Sequence, residues 1–232
     1  TCPSGLERDS AGLLKPCREP GRIFHEIKEM AAELKKVKPL LDGTQPVKAE
    51  IAVLYTYENH YEFAETEKLE EFSGPAGNGY ALHLAKHFRG IAKNNIPVDI
   101  IYPGGDFSKY RCIIAPALYV LPEELGKKIN AYIRTGGKFL LTCFSGVVDG
   151  NAKVWDVPVP GPVRAAFGIR VLDYGKYPGE TGDLKLKCRK DKLPLPPFEL
   201  NSWVDEVIPD PDTEILALYA GKYFNKTPVF TR

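Results

Sequence analysis

Apolar residues recur near the start of the chain at alternating steps of four and three: Ile23, Ile27, Met30, Leu34 and Val37. That spacing lines one face of an α-helix, so it predicts an amphipathic helix over residues 22–38 whose stripe needs a covering surface. Pro20 stands where a helix can begin, and Pro39 is expected to end it. The polar, turn-rich Asp42-Gly43-Thr44-Gln45-Pro46 reads as a linker, with a domain boundary near residue 45. Beyond it the period changes. Ile51-Ala52-Val53-Leu54-Tyr55 is a continuous apolar run of the kind found in a strand covered on both faces, the usual setting of a parallel sheet. Residues 58–79 are polar, acidic and then Gly-rich, and Leu82, Leu84, Ala85, Phe88 and Ile91 give 80–94 a helical pattern. Residues 96–102 and 112–115 read as a second and a third strand. Pro122-Glu123-Glu124 opens a helix carried by Leu125, Ile129, Tyr132 and Ile133, with carboxylates at the positive end of its dipole. Gly136-Gly137 supplies its left-handed stop, and 138–142 is a fourth strand.

Strands alternating with helices through short connections imply right-handed crossovers. The fold class expected for 46–232 is therefore α/β: a three-layer sandwich with a mainly parallel sheet, flavodoxin-like and of the shape of class I glutamine amidotransferases. Past Asn151 the chain turns Pro-rich, with β-prone pieces at 169–174, 184–188 and 215–219, which predict antiparallel strands near the C-terminus, added to the sheet edge.

Composition narrows the function classes. The chain has 232 residues, 44% of them hydrophobic, enough for one compact domain plus an appendage. Lys and Arg number 31 against 30 Asp and Glu, so a net charge of +1 gives no field to attract nucleic acid or an anionic membrane, and neither partner is expected. No run approaches the roughly 20 apolar residues that span a bilayer, and Thr1-Cys2-Pro3-Ser4-Gly5 has no export pattern, so a cytoplasmic location is expected. Cys2, Cys17, Cys112, Cys143 and Cys188 form no CxxC pair; reduced thiols, no zinc site and no cofactor are expected. A start at Thr1 rather than Met raises the expectation of a segment cut from a longer polypeptide.

Ligands of doubly wound sheets gather beyond the carboxyl ends of strands, so Cys143, directly after the fourth strand, is the first catalytic candidate. A cysteine nucleophile needs a base and an orienting acid, and in class I amidotransferases these follow it along the chain. Here His25, His60, His83 and His87 all precede it, and Thr142 stands where such a turn prefers a small residue. Cys143 is expected to be an inert thiol; the alternative function is a cysteine-dependent amidotransferase-like or peptidase-like hydrolase. His83 and His87, four apart on a predicted helix, lack the intervening acid of a zinc motif and read as a packing pair. Gly74-Pro75-Ala76-Gly77-Asn78-Gly79 follows no phosphate-loop spacing and reads as a plain loop. Lys185 to Lys192, interrupted by Leu186, Cys188 and Asp191, reads as a lysine-guarded edge strand. Tyr57, Glu58, Asn59, His60 and Tyr61 combine rings that stack on sugars with groups that bind hydroxyls. They are candidates for sugar contact or for an interface, the second favoured by the tyrosines, in an aromatic-rich surface loop.

The order of segments resembles the middle, trimerisation domain of bacterial β-galactosidases of glycoside hydrolase family 42. Ile51 to Tyr55 leading into Tyr57-Glu58-Asn59-His60-Tyr61 is similar to the family's strand and Trp-Glu-Asn-Trp-Trp-like stretch, with His60 and Tyr61 replacing Trp-like positions. Asn95-Ile96-Pro97-Val98-Asp99, Tyr110 to Tyr119, Glu123 to Val147, Pro160-Gly161-Pro162 and Phe167 to Val171 follow in the family's order, so that the resemblance covers most of 48–175. Ser10 to Leu14 and Arg22 to Leu34 resemble the exit from the family's catalytic barrel, and the end at Arg232 falls where the family would continue. The resemblance implies a retaining glycosidase acting on β-galactosides through two glutamates in a preceding (β/α)8 barrel, about 5 Å apart. It implies no catalytic residue in this chain and a homotrimer whose subunits wall each other's active sites. Partners would be the chain's own barrel and the neighbouring subunits, with the galactoside bound by the intact enzyme. A threefold contact is heterologous, so two different faces should carry apolar patches.

Overall fold

The alternating apolar stripe at the start of the chain folds into α1, Arg22–Leu41. The computed structural model describes residues 12–15, 17–66, 79–176, 185–189, 191, 194, 198–199, 203–220 and 228–232. It divides into two units, Thr1–Val47 and Lys48–Arg232. In the first, α1 buries none of its residues, and Met30 and Leu34 are 53% and 54% exposed. Pro39 does not end the helix, which continues to Leu41. A proline one turn from the C-terminus removes a single N–H bond, and the last turn is closed by the Asp42 N–H to the Lys38 carbonyl and by the Lys38–Asp42 ion pair at 2.7 Å.

The second unit begins with β1 (Ile51–Leu54), α2 (Tyr57–Glu65), α3 (Gly79–Ala92), β2 (Val98–Ile101), β3 (Cys112–Ala115), α4 (Glu123–Arg134) and β4 (Lys138–Leu141). The four strands form a parallel sheet in the order β2-β1-β3-β4, with Ile51 opposite both Val98 and Cys112. This is the α/β architecture expected from the alternation of apolar runs and helical stripes. Central β1 is almost wholly buried, which explains its unbroken apolar run. Leu125, Ile129 and Tyr132 of α4 pack with Ala52, Leu54, Ile113 and Ala115 in one core. Gly136, at φ 92, supplies the left-handed residue after α4.

Beyond β4 come the short α5 (Arg164–Phe167) and strands β5 (Ile169–Lys176), β6 (Lys185–Cys188), β7 (Phe198–Glu199), β8 (Trp203–Pro209), β9 (Ile215–Ala220) and β10 (Pro228–Thr231). They are antiparallel, as predicted, but pair among themselves as β5-β8 and β10-β9-β6-β7 and do not extend the parallel sheet. The Gly-rich segment at 74–78, and Lys190 and Lys192 of the basic stretch, lie outside the described residues.

Candidate functional site

In a sheet of this order the crevice for a ligand opens between β1 and β3, beyond their carboxyl ends. Three connections meet there: β1 to α2, β3 to α4, and the turn after β4. Thr56 caps α2, its side chain accepting the Asn59 N–H at 3.1 Å. One turn on, Asn59 is fully buried and its Oδ1 accepts the Val120 N–H at 2.7 Å. Thr142 Oγ1 accepts the Ala117 N–H at 2.8 Å, and Ser145 Oγ accepts the Leu118 N–H at 3.0 Å. Phe144, in the left-handed region at φ 65, donates its N–H to both oxygens of Asp205 on β8, at 3.2 and 3.1 Å. Backbone amides that would face an anion or a developing oxyanion are thus taken by the chain's own oxygens.

Aromatic rings fill the remaining space. Phe144 stacks on Tyr119 (4.8 Å between centroids), Trp203 (4.7 Å) and Phe63 (6.3 Å), and meets Tyr174 edge-on at 5.1 Å. Tyr80, fully buried, continues the cluster against Phe63 at 5.5 Å and Tyr55 at 5.7 Å. Burial pushes the Tyr80 hydroxyl up to about 12, with Asn59 and Thr56 drawing it down by a smaller amount. Burial also raises Asp205 to about 7, against the opposing pull of the Phe144 N–H, and raises Tyr219, whose environment includes Asp205 and Cys143. Gly146, at φ 69, lies so close to Pro160 that a Cβ would come within 2.7 Å of its backbone. Among the described residues, the crevice is filled by packing from within.

Segment 57–61 is not the loop expected from its polarity but the first part of α2. A helical turn sorts its residues: Tyr57, Glu58 and Tyr61 are exposed, Asn59 is buried and His60 is half-buried with its Nδ1 enclosed. Tyr57 and Tyr61 stack at 6.2 Å, and Tyr57 meets Tyr55 edge-on at 5.2 Å. Cys143 is half-buried beside the φ-positive Phe144. His83 and His87 stand with ring centroids 4.9 Å apart, and burial, then the charges of His87 and Lys86, lower His83 to about 4. Among the described residues, no group of three or more His, Cys, Asp and Glu side chains is placed to hold a metal ion. None of the described helices is long and apolar enough to cross a membrane.

Residues 49–232 match the family described as the β-galactosidase trimerisation domain. The chain belongs to that family. Its relatives include the β-galactosidase BgaB of Geobacillus sp., 31% identical over 215 residues, covering 92% of this chain and 30% of the relative. The β-galactosidase LacZ of Lactobacillus acidophilus is 29% identical over 223 residues, covering 96% of this chain and 31% of the relative. The crystal structure of β-galactosidase from Bacillus circulans sp. alkalophilus superposes with a TM-score of 0.78 at 26% identity, over 96% of this chain and 33% of that one. This trimerisation domain with its leading helix therefore spans about a third of the proteins it matches. Asp205 and the hydroxyls of Thr142 and Ser145, the groups that close the crevice, were not singled out by sequence reasoning. Thr142 and Ser145 flank Cys143 and carry a weak turn signal; a buried carboxylate in the middle of a strand leaves none.

Proposed function

We propose that this chain is the assembly module of a homotrimeric β-galactosidase, joined to the end of its catalytic barrel. In this reading residues 1–45 are the final helix of the barrel with its linker, and 46–232 hold subunits together and help enclose a galactoside site built elsewhere in the cytoplasmic enzyme. The observation that carries the proposal is the closed crevice inside a domain of the trimerisation family: amides at the ends of β3 and β4 bond to Thr142, Ser145 and Asp205, and Phe144 with its neighbouring rings fills the centre. The bare stripe of α1 supports the first assignment, because an amphipathic helix that buries nothing in its own unit calls for an apolar surface from outside it.

The test is hydrolysis of a nitrophenyl β-galactoside by the purified 232-residue chain. No turnover is expected; turnover that persists through repurification would overturn this reading.

A further inference from the structure

We propose that the apolar strip running from α2 across α3 to the outer face of β2 is one of the two contact faces between neighbouring copies of this chain. The inference rests on the assembly reading and adds to it where the contact lies and what occupies it.

Tyr61 stacks on Tyr57, Tyr57 touches Tyr55, and Tyr55 opens a cleft of about 420 Å³ lined by Ala81, Leu84, Ala85, Phe88, Arg89 and Ile100. Leu82 lies one turn before Ala85 on the same side of α3, Ile100 lines the cleft from β2, and Ile96 and Tyr102 stand exposed just before and just after that strand. Tyr57, Tyr61 and Tyr102 are each 63% exposed and Ile100 58%. At roughly 100 Å² of open surface apiece, Tyr57, Tyr61, Leu82, Ile96, Ile100 and Tyr102 offer on the order of 600 Å². A monomer's largest patch is typically about 300–600 Å², and a standard interface takes about 800 Å² from each partner. The strip therefore sits at the top of the range for a free surface and would supply most of what one partner gives to a subunit contact. Among the described residues β2 pairs with β1 alone in its sheet, which leaves its other edge without a strand partner there.

The chemistry favours a protein surface over a sugar. Sugar platforms pair rings with several side chains that grip hydroxyls; here Asn59 is committed to Val120 and the Nδ1 of His60 is enclosed, which leaves Glu58 as the one exposed polar group of 57–61 beside the two stacked tyrosines. Tyrosines around an aliphatic cleft are the composition of an interface centre. Membership of a trimerisation family makes a second copy the occupant, and cyclic closure requires this strip to meet a different face of that copy.

The experiment uses the whole chain. Sedimentation equilibrium is run on wild type, on Tyr57→Ser/Tyr61→Ser, on Ile100→Lys and on a control, Lys127→Ala, which lies outside the strip; thermal melts establish that each is folded. A photo-crosslinking residue at position 61 supplies a readout that needs no loss of function. The expected result is a wild-type and control mass of three times the 25.8 kDa of one chain, a fall toward one chain in both strip variants, and a crosslinked dimer band from position 61. Folded strip variants that keep the wild-type mass, or a label that reacts only within its own chain, overturn the strip and leave assembly standing. A monomeric wild type overturns both. Tyrosine fluorescence that responds to galactose in wild type but not in Tyr57→Ser/Tyr61→Ser would make the strip a sugar platform and likewise end the proposal.

Discussion

Asp205 holds a carboxyl in the interior of the domain with the Phe144 N–H as its hydrogen-bond donor. Its pKa rises from 3.8 to about 7 on folding, so between those values the native state keeps a proton that the unfolded chain releases. The stability that this group contributes is full below about pH 4 and is lost as pH climbs through 7, a change on the order of 4 kcal/mol. Asp205→Asn keeps an acceptor for the Phe144 N–H and cannot ionise. Urea unfolding at a series of pH values should show wild type weakening from pH 5 to 8 and the variant staying level, more stable than wild type at pH 8. Parallel profiles would contradict the assignment. Asn59→Ala leaves the buried Val120 N–H without its acceptor and should lower stability by about 1 to 3 kcal/mol. Gly146→Ala adds a left-handed strain and a clash with Pro160, together about 2 kcal/mol or more by the same measurement.

Among elements, α1 and α4 carry apolar stripes of the same period and very different burial. Ile129 of α4 is fully buried, so Ile129→Ala should destabilise the chain by about 2 to 5 kcal/mol. Ile27 and Leu34 of α1 stand exposed, so Ile27→Ala and Leu34→Ala should each change stability by no more than about 0.5 kcal/mol. A large loss at either α1 position would mean that the helix is covered within this chain. Periodicity showed both helices and all four parallel strands because each buries, or is shaped to bury, a regular apolar set. It missed α2, whose inward positions one turn apart are Phe63 and the polar Asn59, so a helix held by an amide–backbone bond looked like a loop. It also stopped α1 at Pro39, although a proline in the last turn removes little and the chain could run on to Leu41. The C-terminal strands were legible from their β-prone pieces, but not their partners: short alternating segments leave open which sheet they join.

For the whole molecule, the family match and the sealed crevice point the same way. A flavodoxin-like sheet normally keeps its switch point open for a ligand; here Asn59, Thr142, Ser145 and Asp205 accept the amides of Val120, Ala117, Leu118 and Phe144, and the Phe144 ring packs among its aromatic neighbours. The resemblance in segment order made the family readable from sequence, and the parallel sheet agrees with it. The closing of the crevice was not readable, because it depends on side chains of α2, the β4 turn and β8 meeting across more than sixty residues of chain. A cysteine hydrolase would need Cys143 to be an activated thiolate, and alkylation of Cys143 with iodoacetamide at neutral pH should proceed no faster than for the exposed Cys17. Assembly is read from the sedimentation-equilibrium mass of the purified chain. A species of three times 25.8 kDa that dissociates on dilution without an intermediate of two is expected. A single-chain mass at every concentration would contradict it.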